Sequence, residues 1–154
     1  MRFVCLLLFL LSVIAPVALR AQREKLPPED LAIVEETWPD AKKTSTGMRY
    51  VILEPGAGES PKPGDLVAVH YVGRLLDGTV FDQCAEGQPP FKFRVARDQV
   101  ILGWDQILQL MKKGEKRLVI IPPELGYGSR GQPPRIPRNA TLVFMIWLED
   151  INPD

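Results

Sequence analysis

The chain has 154 residues, 45% of them apolar and 25% charged, which suits one globular domain and is too apolar for a disordered segment. Nineteen basic residues balance nineteen acidic ones, so no surplus of positive charge marks a nucleic-acid binder. The 15 prolines form no repeated tract, and no internal repeat points to a solenoid.

Residues 1–21 stand apart. Arg2 opens an almost unbroken apolar run over residues 3–19, Pro16 interrupts its last turn, and the polar stretch Gln22-Arg23-Glu24-Lys25 follows Ala21. This pattern reads as a secretory signal peptide cut after Ala21, which would export the chain to a bacterial periplasm or the medium. The alternative is an uncleaved membrane anchor, since the run sits at the lower limit of the roughly 17–25 residues that a spanning helix needs. Cleavage removes Cys5 and leaves Cys84 alone. The mature chain then has no internal disulfide, and its apolar core must hold it together.

Residues 22–45 read as an arm ahead of a domain at residues 46–154. Pro27-Pro28-Glu29-Asp30 is a helix start, with proline in the first turn and acids that complement the helix dipole. Leu31, Val34 and Trp38 fall on one face, and Pro39 ends the helix. So short a helix is marginal alone, so its apolar face is expected to dock on the domain.

From Thr46 the pattern turns to strands. Residues 48–53 are rich in β-formers and stop at Pro55-Gly56. Leu66–Leu75 predicts a longer strand, closed by the turn Asp77-Gly78, with residues 79–81 as its hairpin partner. Phe91–Arg94 alternates with period two. Residues 104–111 place apolar side chains at 104, 107, 108 and 111, a helical spacing, and Gly114 supplies the stop. Residues 115–121 and 142–148 read as the last two strands. One short helix among antiparallel strands predicts an α+β domain.

Gly126-x-Gly128-x-x-Gly131 matches the dinucleotide-binding fingerprint in letters only. That motif needs a helix opening at its last glycines, and the prolines at 133, 134 and 137 forbid one. His70 is the single histidine and reads as a structural residue, so neither a metal site nor a histidine base is expected. Cys84 reads as a loop thiol without a catalytic role, and no cofactor is implied. Asn139-Ala140-Thr141 is a glycosylation acceptor only on a eukaryotic export route.

Four motifs in order carry a stronger signal: His70-Tyr71-Val72-Gly73, Gly78-Thr79-Val80-Phe81-Asp82, Val100-Ile101-Leu102-Gly103-Trp104, and Tyr127 within Glu124-Leu125-Gly126-Tyr127-Gly128-Ser129-Arg130-Gly131. With them the chain resembles the FKBP-type peptidyl-prolyl cis-trans isomerases, the macrolide-binding family, over residues 46–151. The resemblance implies a twisted antiparallel β-sheet wrapped around one short central helix. It implies rotation about X–Pro bonds of proline-containing polypeptides, and binding of macrolides such as tacrolimus and rapamycin. A chaperone or binding protein using the same apolar cleft without turnover is the alternative. The resemblance makes Trp104 the floor on which the proline ring lies. Tyr71, Phe81 and Phe144 become walls, completed by Phe91, Val100 and Ile101. The Ile101 N–H and the Tyr127 hydroxyl become donors, Asp82 an acceptor that orients Tyr71, and Ile136 part of an overhanging loop. Gly87, Gln132 and Arg135 depart from the best-known members, which have arginine, histidine and an apolar residue there. These departures bear on macrolide affinity and on the residue preferred before proline. A monomer is expected.

Overall fold

A computed structural model describes residues 23–153. The signal-peptide reading lies outside them. The order is α1 (Pro28–Thr37), β1 (Lys42–Lys43), β2 (Arg49–Glu54), β3 (Leu66–Leu75), β4 (Val80–Cys84), β5 (Phe91–Arg94), α2 (Leu102–Leu108), β6 (Lys116–Ile121), a 3-10 turn (Pro123–Leu125) and β7 (Leu142–Ile151).

All seven strands join one antiparallel sheet in the order β1-β2-β6-β7-β3-β4, with β5 beside β4 on the same edge of β3. β3 and β7 are the longest strands and pair along their whole length, with His70 opposite Trp147, Val72 opposite Met145 and Gly73 opposite Phe144. Because side chains alternate across a strand, one face of the sheet presents Val67, Val69, Tyr71, Val119, Ile121, Phe144, Ile146 and Leu148. These surround α2, whose Trp104, Ile107 and Leu108 are buried in the same cluster. The twisted sheet therefore wraps one short helix, an α+β architecture.

The other face meets α1. Val34, fully buried, packs with Leu26 against Ile120 and Val143, while Leu31 and Trp38 flank them. The arm docks as its spacing predicts, and Trp38 caps the helix through its N–H to the Val34 carbonyl at 2.8 Å. No helix among the described residues is long and apolar enough to cross a membrane.

The boundaries differ from expectation where tertiary contacts set them. α2 begins at Leu102 and ends at Leu108, not over 104–111. Met111 is fully buried yet follows the helix, because periodicity reports burial and not hydrogen bonding. Gly114 (φ +80) turns the chain into β6 and does not cap α2. Cys84 is the last residue of β4, paired with Tyr71, and not a loop residue; its thiol points at the Pro89 carbonyl, 3.4 Å away. β7 continues to Ile151.

Candidate active site

Tyr71 leaves β3 on the α2 side and meets the rim of Trp104 edge to face, with centroids 4.9 Å apart at 86°. Phe144, on the neighbouring strand, stands edge-on to both Trp104 (5.3 Å, 82°) and Phe81 (5.4 Å, 87°). Phe91 closes a further side, 6.4 Å from Trp104. Such perpendicular pairs place a positive ring edge against a negative ring face and fix one another's orientation. The approach is close because position 73 is glycine. A Cβ there would lie 2.7 Å from Phe144 Cε1 and 2.7 Å from Phe81 Cζ.

These rings enclose a cavity of about 170 Å³ lined by Tyr71, Phe81, Asp82, Phe91, Gln99, Val100, Ile101, Trp104, Tyr127 and Phe144. Trp104 is 4% exposed at its base, and its indole Nε1 has no partner among the described residues. The polar groups sit at the mouth. The Tyr71 hydroxyl donates to Asp82 Oδ2 at 2.8 Å, and the Gln83 N–H donates to Oδ1 at 2.9 Å. Neither the Tyr127 hydroxyl nor the Ile101 N–H donates to any group among the described residues. Both donors are thus available to a ligand carbonyl. Partial burial, then the bond to Asp82, push the Tyr71 hydroxyl well above the ordinary tyrosine range. Partial burial and the Asp82 charge raise Tyr127 in the same direction. Both phenols remain protonated at neutral pH.

Ile136 does not line this cavity. It is 1% exposed within the core, on a loop closed by paired bonds between Gln132 and Ile136. Gln99 lines it instead, with its amide oxygen accepting from the Arg94 N–H at 2.8 Å. No motif letter marked Gln99, because only the folded turn after β5 brings it to the rim. His70 points to the opposite face of β3, its ring nitrogens 3.0 Å from the Ala85 carbonyl and 2.7 Å from Glu149. The glycine-rich stretch enters a 3-10 turn and then left-handed positions at Gly128 and Gly131, with no phosphate-binding helix.

Two larger cavities, about 270 and 260 Å³, lie on the outer face and share Val72 and Met145. Volume does not decide between the three. Neither outer cavity is lined by the Phe81, Trp104 and Phe144 rings, or by Tyr127 and Ile101, whose phenol and N–H suit an apolar ring flanked by carbonyls.

A family model described as FKBP-type peptidyl-prolyl cis-trans isomerase matches residues 57–149. A probable FKBP-type peptidyl-prolyl cis-trans isomerase of Haemophilus influenzae is 46% identical over 114 residues, covering 74% of this chain and 46% of the relative. The chain therefore spans about half the length of that relative. FK506-binding protein 1A of Aspergillus fumigatus is 44% identical over 107 residues, covering 69% of this chain and 96% of the relative. A crystal structure of a peptidyl-prolyl cis-trans isomerase from Pseudomonas syringae superposes with a TM-score of 0.70 at 37% identity, covering 80% of this chain and 90% of that one.

Proposed function

This chain belongs to the FKBP-type peptidyl-prolyl cis-trans isomerase family, and from that premise we propose that it accelerates rotation about X–Pro bonds in polypeptides bound at the aromatic cavity. The observation that carries the reading is the ring-lined cavity with two unengaged donors at its mouth. The barrier to be lowered, about 18–20 kcal/mol, comes from amide resonance. At its top the amide is twisted and less dipolar. An apolar enclosure disfavours the planar, dipolar amide more than the twisted one, which is differential binding of the transition state.

In this reading the proline ring rests on Trp104 between Tyr71, Phe81 and Phe144. Phe91, Val100 and Gln99 exclude water, and Tyr127 and the Ile101 N–H hold the flanking carbonyls. Asp82 locks Tyr71. Two hydrogen bonds that strengthen in the twisted state would supply about 1–3 kcal/mol together, one to two powers of ten in rate. The larger share then falls to desolvation by the rings. No step transfers a proton.

Macrolides such as tacrolimus and rapamycin would enter the same cavity. Asp82 has no arginine partner among the described residues, and Gly87 (φ +89) stands in open space. Gln132 and Arg135 are both exposed on the loop beside the cavity, so a large ligand would meet polar side chains there. The apolar run at residues 3–19 supports export with cleavage after Ala21.

The test is a protease-coupled isomerisation assay on a proline peptide with the purified protein. Acceleration above the thermal rate, competed by tacrolimus, is the expected result. Peptide binding without acceleration would replace the enzyme by a binding protein.

A further inference from the structure

Tyr127 reaches the cavity from the long connection between β6 and β7, residues 122–141, and the arm holds that connection at both feet. At its far end the Thr141 hydroxyl, in a residue 3% exposed, donates to Asp30 Oδ2 of α1 at 2.6 Å. Two residues earlier, the Asn139 N–H donates at 2.9 Å to the carbonyl of Gly128, the residue after Tyr127. The Gly128 N–H in turn donates to the Pro123 carbonyl at 2.9 Å. At the near end Lys25 Nζ lies 3.2 Å from Glu124 Oε2. α1 is a firm support, because Val34 is fully buried against Ile120 and Val143.

We propose that Asp30 is a positioning residue for Tyr127, acting through Thr141 and Asn139, so that the arm sets the geometry of the cavity mouth. The inference rests on the reading of the aromatic cavity as the isomerase site. Of the two feet, Asp30–Thr141 carries the effect. The Lys25–Glu124 side chains are 30% and 63% exposed, and such pairs contribute little. The bond from a buried hydroxyl to a carboxylate is charge-assisted and short, and losing it strands the hydroxyl. The Tyr127 side chain makes no hydrogen bond among the described residues, and its carbonyl accepts only from the Gly131 N–H of the same loop at 3.1 Å, so its hydroxyl lies where its backbone puts it. Small misplacements of a substrate-holding group are costly in rate.

The experiment compares Asp30→Ala, Asp30→Asn, Tyr127→Phe and the Asp30→Ala/Tyr127→Phe double variant, with Glu36→Ala on the exposed side of α1 as control. Asp30→Ala is expected to lower kcat/KM roughly three- to tenfold, the span of one hydrogen bond. Asp30→Asn, which still offers an acceptor, restores most of it. In the Tyr127→Phe background the Asp30→Ala change costs almost nothing further. Additive losses would overturn the inference while leaving the isomerase reading intact. Amide hydrogen exchange gives a second readout that needs no activity. Asn139 should exchange about tenfold faster in Asp30→Ala, with Val69 and Ile146 unchanged. Unchanged exchange at Asn139, or equal acceleration of all three amides, would overturn the inference even if the protein proved catalytically silent.

Discussion

Gly73→Ala isolates the packing of the cavity walls from every polar group. Gly73 is not a left-handed position, so alanine fits the backbone and only space is tested. The added methyl would meet Phe144 Cε1 and Phe81 Cζ at 2.7 Å and Phe81 Cε2 at 2.8 Å. Ordinary carbon contacts lie at about 3.5–4.0 Å, so both rings must retreat by about 1 Å. Overpacking of this kind costs about 1–3 kcal/mol. Alanine returns about 0.4–1 kcal/mol by reducing the entropy of the unfolded chain. The net destabilisation should be about 0–2.5 kcal/mol, read from urea unfolding. The same ring displacement should reduce kcat/KM by roughly one to two powers of ten, since a misplacement near 1 Å can cost about 10²-fold. Adding Phe81→Leu should recover stability without recovering rate, because the clash is relieved but the wall is thinned. A Gly73→Ala protein with unchanged stability and unchanged isomerisation would refute the reasoning.

Trp104→Ala should lose about 3–5 kcal/mol of stability, the usual cost of truncating a buried aromatic, and should weaken proline-peptide binding in a fluorescence or calorimetric titration; retention of both would remove Trp104 from the floor. Isomerisation should be flat between pH 6 and 8, because Tyr71 and Tyr127 are both held protonated by partial burial and Asp82; a bell-shaped profile abolished by His70→Ala would refute this. Raised folded-state values also mean that the tyrosine contribution to stability is present below the unfolded value of about 10 and fades as pH rises past it. Thermal unfolding should therefore fall off above about pH 10, less steeply in Tyr71→Phe. Asp82→Leu and Tyr127→Phe should each slow isomerisation without abolishing it, since the rings remain. Cys84→Ser should leave the rate within about twofold, because half-buried changes outside the cavity usually fall near ±0.5 kcal/mol; a larger loss in the coupled assay would give the thiol a role.

The strands β3 and β5 were legible to the residue, because alternation of β-branched and aromatic side chains between turn signals is itself the physical requirement of a half-buried strand. The apolar face of α1 was legible for the same reason at helical spacing. The residues at 71, 81, 82, 104 and 127, which the resemblance singled out, are ones that the fold brings around a single cavity. Tertiary structure decided the rest. Residues 104–111 show helical spacing, yet the helix stops at Leu108 because Met111 is buried by the turn into β6 and not by a further helical turn. Ile136 belongs to the core and Gln99 to the cavity rim, because their places depend on how two loops close over α2. Asp30 and Thr141 stand 111 residues apart, and nothing local in either predicts their bond. Short-range spacing determines which face of an element is apolar, whereas the partner that covers each face, and the atom that meets each donor, exist only once the sheet has brought β7 beside β3 and the arm across its back.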